Sequence, residues 1–134
     1  MTEEKKELIK YRLSKAYQVF EEAKLLSNQN FFFGTTNRLY YSCFYAVLAL
    51  LLLNDLNSKT HKGTLHLFYQ NFIEPGLIDK KWNTLIRKVF DLRSEGDYLD
   101  YIEVEKEEID MLIIEVKEFI DIIGNFIDQE FQKK

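Results

Sequence analysis

The chain is predicted to fold as an all-α, up-and-down bundle of about five helices. Five glycines and one proline in 134 residues leave few places for turns, which favours long helices over many short strands. Apolar residues also recur every three or four positions over long stretches, the period of a helix with one face inward. One segment, 35–53, is apolar almost all round and is expected to be the buried centre. A length of 134 residues suits a single domain spanning 1–134, and no repeat, low-complexity stretch or composition break divides it.

Taken in order, the first helix is expected over 3–27, with Ile9, Leu13, Ala16, Phe20 and Ala23 inward and Lys5, Glu22 and Lys24 outward. Asn28-Gln29-Asn30 should break it, and Phe31-Phe32-Phe33-Gly34 reads as an aromatic turn. Thr35, Thr36 or Asn37 can then cap the second helix, which ends near Asn54-Asp55. Thr60 is a plausible cap for a short third helix carrying Leu65, Phe68 and Phe72, with His66 near its start. Glu74-Pro75-Gly76 stops that helix, because proline removes a ladder donor and glycine turns readily.

A fourth helix is expected over 80–97, burying Trp82, Leu85, Ile86, Val89 and Leu92, and residues 98–104 read as a connector. The last helix, 105–129, has the clearest period: Ile109, Leu112, Ile113, Val116, Phe119, Ile120, Ile123 and Ile127. The β-branched residues among them favour strands, but the sustained helical spacing outweighs that preference.

Composition narrows function. A net charge of −4 argues against non-specific binding to nucleic-acid phosphates, so no DNA partner is expected and any RNA contact must come from a local basic patch. Cys43 is the single cysteine, which excludes a disulfide framework and a thiolate metal cluster; it reads as a small buried hydrophobe. His61 and His66 are five apart and fit no zinc spacing, so neither a metal nor a cofactor is expected. The longest apolar run, 44–53, is ten residues, about half of a membrane span. The charged start lacks the apolar core of a signal peptide, and a cytoplasmic location is expected.

Two polar stripes stand out on otherwise apolar helices. Arg38, Tyr41, Ser42 and Tyr45 share spacing on the second helix. Arg93 and Asp97, four apart, share a face at the end of the fourth, with Tyr98 following. An arginine on a buried helix costs desolvation unless paired, so Arg38 should meet a carboxylate (Asp91, Glu95 or Asp97) or open onto a cleft. Arg93 has the same two readings: an ion pair with Asp97 or Asp91, or a planar fork that holds a phosphate. Tyr98 and Tyr101 lie close enough to hydrogen-bond or to stack on a base. Lys59, His61 and Lys62 form a small basic cluster able to meet phosphate, although His61 also suits a capping or packing role. The aromatics Phe31, Phe32, Phe33, Tyr40, Tyr41 and Tyr45 read mainly as core, with some surplus available to seal a dimer.

Three segments together carry a resemblance. Asn37-Arg38-Leu39-Tyr40-Tyr41-Ser42, Thr60-His61-Lys62-Gly63 and Leu92-Arg93-Ser94-Glu95-Gly96-Asp97-Tyr98 resemble small prokaryotic HEPN-domain proteins, in the same order and over nearly the whole chain. The resemblance implies a five-helix bundle, a homodimer, and a partnership with a minimal nucleotidyltransferase as a toxin–antitoxin pair. With that resemblance, the chain is expected to bind nucleotide or RNA through Arg38, Arg93 and Tyr98, with Tyr41, His61, Asp97 and Tyr101 as further candidate contacts. Active members are metal-independent ribonucleases that pair an Arg with a His four to six residues later. Arg93 matches that Arg, but Tyr98 occupies the position five residues on, and no His follows it. Arg93 and Tyr98 are thus the catalytic candidates if the chain cuts RNA, with a phenol that is a poor proton shuttle near neutral pH. In some members the partner transferase adds a nucleotide to a tyrosine beside the motif, which makes Tyr98 and Tyr101 candidate acceptors.

Overall fold

The computed structural model describes residues 1–98 and 104–133, with side chains left undescribed for 95–98. Among the described residues the regular secondary structure is all helical: α1 (Glu3–Asn28), α2 (Phe32–Leu52), α3 (His61–Phe68), α4 (Lys80–Tyr98) and α5 (Lys106–Gln132). A π-helical turn, Tyr69–Ile73, extends α3 and buries Phe72 and Ile73.

Helix α2 is the centre of the bundle and packs against each of the other four helices. Its buried face comprises Leu39, Tyr40, Cys43, Ala46, Val47, Leu50 and Leu51. Helices α1 and α5 lie against it and against each other, closing the core with Ile9, Phe20, Val116, Phe119 and Ile123. Helix α4 adds Trp82, Leu85, Ile86 and Val89. No helix among the described residues is long and apolar enough to cross a membrane.

The first two helices meet in a turn tighter than the sequence suggests. Asn30 takes a left-handed backbone (φ 63°), its N–H donates to the Ser27 carbonyl, and the Phe31 N–H donates to the Leu26 carbonyl. That pair of bonds is a Schellman stop, with asparagine in the place usually taken by glycine. Helix α2 starts directly afterwards, so Phe31-Phe32-Phe33 is its first turn and not a separate aromatic turn. Phe31 and Phe33 therefore point outward, 61% and 60% exposed, and are not core residues. Thr35 and Thr36 are not caps either. They are buried, and their hydroxyls donate back to the Phe31 and Phe33 carbonyls.

Two residues read as outward-facing on α1 are engaged. Lys5 Nζ donates to the Leu53 carbonyl and pairs with Asp55 at 3.0 Å, placing a cation at the carbonyl end of α2. Glu22 reaches Arg38. Thr60 does cap α3, its hydroxyl accepting from the Gly63 N–H at 2.9 Å. His61 consequently opens that helix, whereas His66 lies in its last turn and not near its start. A Cβ on Gly63 would run into the side chains of Ser58 and Thr60, so this glycine is required by close approach and is more than a turn residue.

Candidate functional site

The site grows from consecutive tyrosines on α2. Tyr40 points into the core and is fully buried, while Tyr41, one position on, is only partly buried. Their rings meet edge to face with centroids 5.2 Å apart. Around this pair the fold brings side chains from three further helices.

Arg93, on the last turns of α4, donates from Nη2 to the Tyr41 hydroxyl at 3.0 Å. Its guanidinium carbon lies 5.5 Å from the Tyr41 ring centre and 5.7 Å from that of Tyr40. Arg38, a turn earlier on α2, has its guanidinium carbon 5.5 Å from the same Tyr41 ring. Two arginines that are 55 positions apart in the chain thus share one phenol. Each such contact contributes about 0.5–1 kcal/mol where water reaches it.

The carboxylate that meets Arg38 is Glu22 of α1, at 3.4 Å, and not Asp91 of α4. Glu22 and Arg38 stand equally far from Asn30 in an antiparallel hairpin, which sets them opposite each other. The expected tie between the second and fourth helices is instead a tie between the first and second. Asn37 Oδ1 also accepts from Arg38 Nη2 at 2.8 Å and fixes the fork. The Arg38 side chain remains 35% exposed and able to meet a ligand.

His61 arrives from the start of α3. Its ring stacks on Phe44 (centroids 4.4 Å apart, planes 19° apart) and meets Tyr41 edge-on at 5.8 Å. Its Nδ1 lies 2.6 Å from the Tyr40 hydroxyl. Burial, and then the nearby Arg93 charge, hold the imidazole below its ordinary pKa. Burial likewise pushes the Tyr40 phenol up, against the opposing pull of Arg93. Both rings are therefore neutral at neutral pH. Burial also raises the Cys43 thiol, which has no exposed surface and no nucleophilic use.

The fold thus gathers Arg38, Tyr41, His61 and Arg93 in one place. Asp97 and Tyr98 close α4, but their side chains, like that of Glu95, lie outside the described residues, as does Tyr101 altogether. Tyr40 and Phe44 are the residues that sequence reading missed. Tyr40 reads as a core aromatic, and the available signal for it was that a buried phenol needs a hydrogen-bond partner; Phe44 carries no such signal.

Residues 9–126 match the HEPN domain family. The chain belongs to that family. Relatives of this HEPN chain include a UPF0332 protein of Thermotoga maritima, 33% identical over 125 residues that cover 93% of this chain and 95% of the relative. A UPF0332 protein of Archaeoglobus fulgidus is 31% identical over 121 residues, 90% of this chain and 96% of the relative. The Methanocaldococcus jannaschii protein named "Putative toxin MJ0142" is 37% identical over 109 residues, 81% of this chain and 74% of that protein. On this HEPN scaffold the arginine pair lies where an Arg of helix α4 meets the face of the central helix. Cationic forks, a phenol and a neutral imidazole side by side suit the recognition of an oxyanion with an attached ring.

Proposed function

We propose that this HEPN protein binds the phosphate groups of a nucleotide or RNA through Arg38 and Arg93, and works in the cytoplasm with a minimal nucleotidyltransferase as one half of a toxin–antitoxin-like pair. The observation that carries this reading is the sharing of the Tyr41 ring by both guanidinium groups. Arginine keeps its charge at all working pH values, and its planar fork matches two phosphate oxygens at once. The overall charge of −4 keeps attraction local, so affinity depends on these two residues more than on a broad basic surface. A homodimer would carry two such clusters.

The test is equilibrium titration with ATP and with a short single-stranded RNA, followed by thermal stabilisation. Wild type is expected to be stabilised by one of them and Arg93→Ala not. Absence of stabilisation by both ligands contradicts the reading. Incubation with a cognate transferase and ATP, read by mass spectrometry, tests the partnership and a nucleotide added to Tyr98 or Tyr101.

The toxin names of relatives favour a second reading, a metal-independent endoribonuclease with Arg93 and Tyr98 as its catalytic pair. It requires RNA cleavage in EDTA that Arg93→Ala abolishes without unfolding the bundle.

A further inference from the structure

We propose that His61 is a ligand-contacting residue of the arginine–tyrosine site, a neutral donor whose Nε2–H bonds a phosphate oxygen of bound RNA, and that Tyr40 is the positioning residue that sets its tautomer. This rests on the phosphate-binding reading above and adds to it a third, uncharged contact from a different helix.

The inference starts from the buried phenol. Tyr40 has no exposed surface, and its hydroxyl lies 2.6 Å from His61 Nδ1. A buried O–H left without an acceptor costs about 1–3 kcal/mol, so the phenol should donate and Nδ1 should accept. A neutral imidazole that accepts at Nδ1 carries its proton on Nε2. Tautomer and direction are then fixed before any ligand arrives.

Packing fixes the plane as well. Phe44 stacks on one face of the imidazole at 4.4 Å, and the edge contact with Tyr41 at 5.8 Å holds its rotation. Thr60 caps the helix that His61 opens, and Gly63 lets the loop close beneath it. A side chain already held in one rotamer loses little freedom on binding, which is how preorganisation raises affinity. His61 is also only partly buried, unlike Tyr40. It touches the same Tyr41 ring that both guanidinium groups touch.

Protonation would undo the arrangement. The cation would present a second N–H toward the Tyr40 hydroxyl and add charge beside Arg93, the charged group that acts on this ring from α4. Tyr40 and Tyr41 face it from α2. The site therefore works with His61 uncharged.

The experiment has an arm with ligand and an arm without. Nitrogen-15 NMR of the free protein should show His61 with Nδ1 as acceptor and the proton on Nε2. Tyr40→Phe should relax that preference. Titration of a fluorescein-labelled single-stranded ribo-oligonucleotide should then show His61→Ala binding about five- to ten-fold more weakly than wild type, and Tyr40→Phe a few-fold more weakly. Helical circular dichroism confirms that each variant is folded, and should His61→Ala not fold, Tyr40→Phe decides. A proton found on Nδ1 overturns the proposal, as does wild-type affinity in a folded His61→Ala or, failing that, in Tyr40→Phe. If Arg93→Ala loses binding while His61→Ala keeps it, only this inference fails. If wild type binds no RNA, this inference fails, and if it binds neither RNA nor ATP, the phosphate-binding reading fails with it.

Discussion

Arg93 Nη2 donates to the Tyr41 hydroxyl at 3.0 Å, joining α4 to α2 across 52 positions of the chain. The bond holds the guanidinium against two aromatic rings and sets the direction of its fork. Tyr41→Phe keeps the ring and deletes the acceptor. It is expected to lower stability by about 0.5–1.5 kcal/mol, the usual net worth of such a bond. It should also weaken RNA binding several-fold, because Arg93 is then less well oriented. Urea denaturation and RNA titration on the same variant check both effects.

Arg38 permits a cleaner separation of binding from stability. Its pair with Glu22 is 35% and 41% exposed on the two side chains, a setting in which ion pairs contribute only about 0–1 kcal/mol. Arg38→Ala should therefore unfold at nearly the wild-type urea concentration while losing RNA affinity. Glu22→Gln removes the carboxylate that competes for the same guanidinium, and affinity should hold or rise. Strong destabilisation by Arg38→Ala would assign the residue to the scaffold.

Gly63→Ala tests the loop that presents His61. The added methyl meets Ser58 and Thr60, the latter at 2.8 Å, and displaces the side chain that caps α3. A loss of roughly 1–2 kcal/mol, the scale of a lost cap, is expected together with weaker RNA binding. Gly76→Ala is the control. Its cost arises from a left-handed backbone (φ 85°) with open space around the Cβ, so stability should fall while RNA binding stays unchanged.

Acid should weaken the fold in two separate windows. His61 resists protonation in the folded state relative to its ordinary value of 6.5. Above that value both states hold it neutral and stability is flat. As pH falls through 6.5 the unfolded chain gains a proton first and stability declines, until the lower folded value is passed. His61→Asn should remove this decline between pH 7.5 and 5, measured as urea midpoints. A second loss follows at lower pH from Asp121. Its burial alone would raise its pKa, but hydrogen bonds from Lys117 and Tyr17 outweigh burial and hold it below its ordinary 3.8. Its contribution is present above that value and disappears as the carboxylate is protonated.

The helices were legible because apolar spacing is a local property of each segment, and α4 and α5 bury the residues that their periods single out, Leu92 and Ile113 only in part. The α1–α2 turn was not, because Asn30 supports a left-handed stop without a glycine to advertise it. Phe31 and Phe33 show the same limit. Their hydrophobicity suggests burial, yet the abrupt start of α2 turns them outward. At the site, Arg38 and Arg93 could be picked out as costly charges on apolar helices. Their common neighbour Tyr41 followed from spacing alone only for Arg38. The carboxylate facing Arg38 was misplaced because α4 was preferred to α1, and Glu22 sits opposite only once the hairpin is folded. The Tyr40–His61 bond spans 21 positions and two helices, beyond the reach of any periodicity.

The most direct test is the salt dependence of affinity for a short single-stranded RNA. Affinity for a single strand falls with salt at a logarithmic slope of about 0.7 per phosphate neutralised. Wild type should bind, Arg38→Ala and Arg93→Ala should each flatten the slope by about 0.7, and the double variant by about twice that. No binding of either RNA or ATP by wild type, or a slope unchanged in the folded double variant, would contradict a phosphate site built on these two arginines.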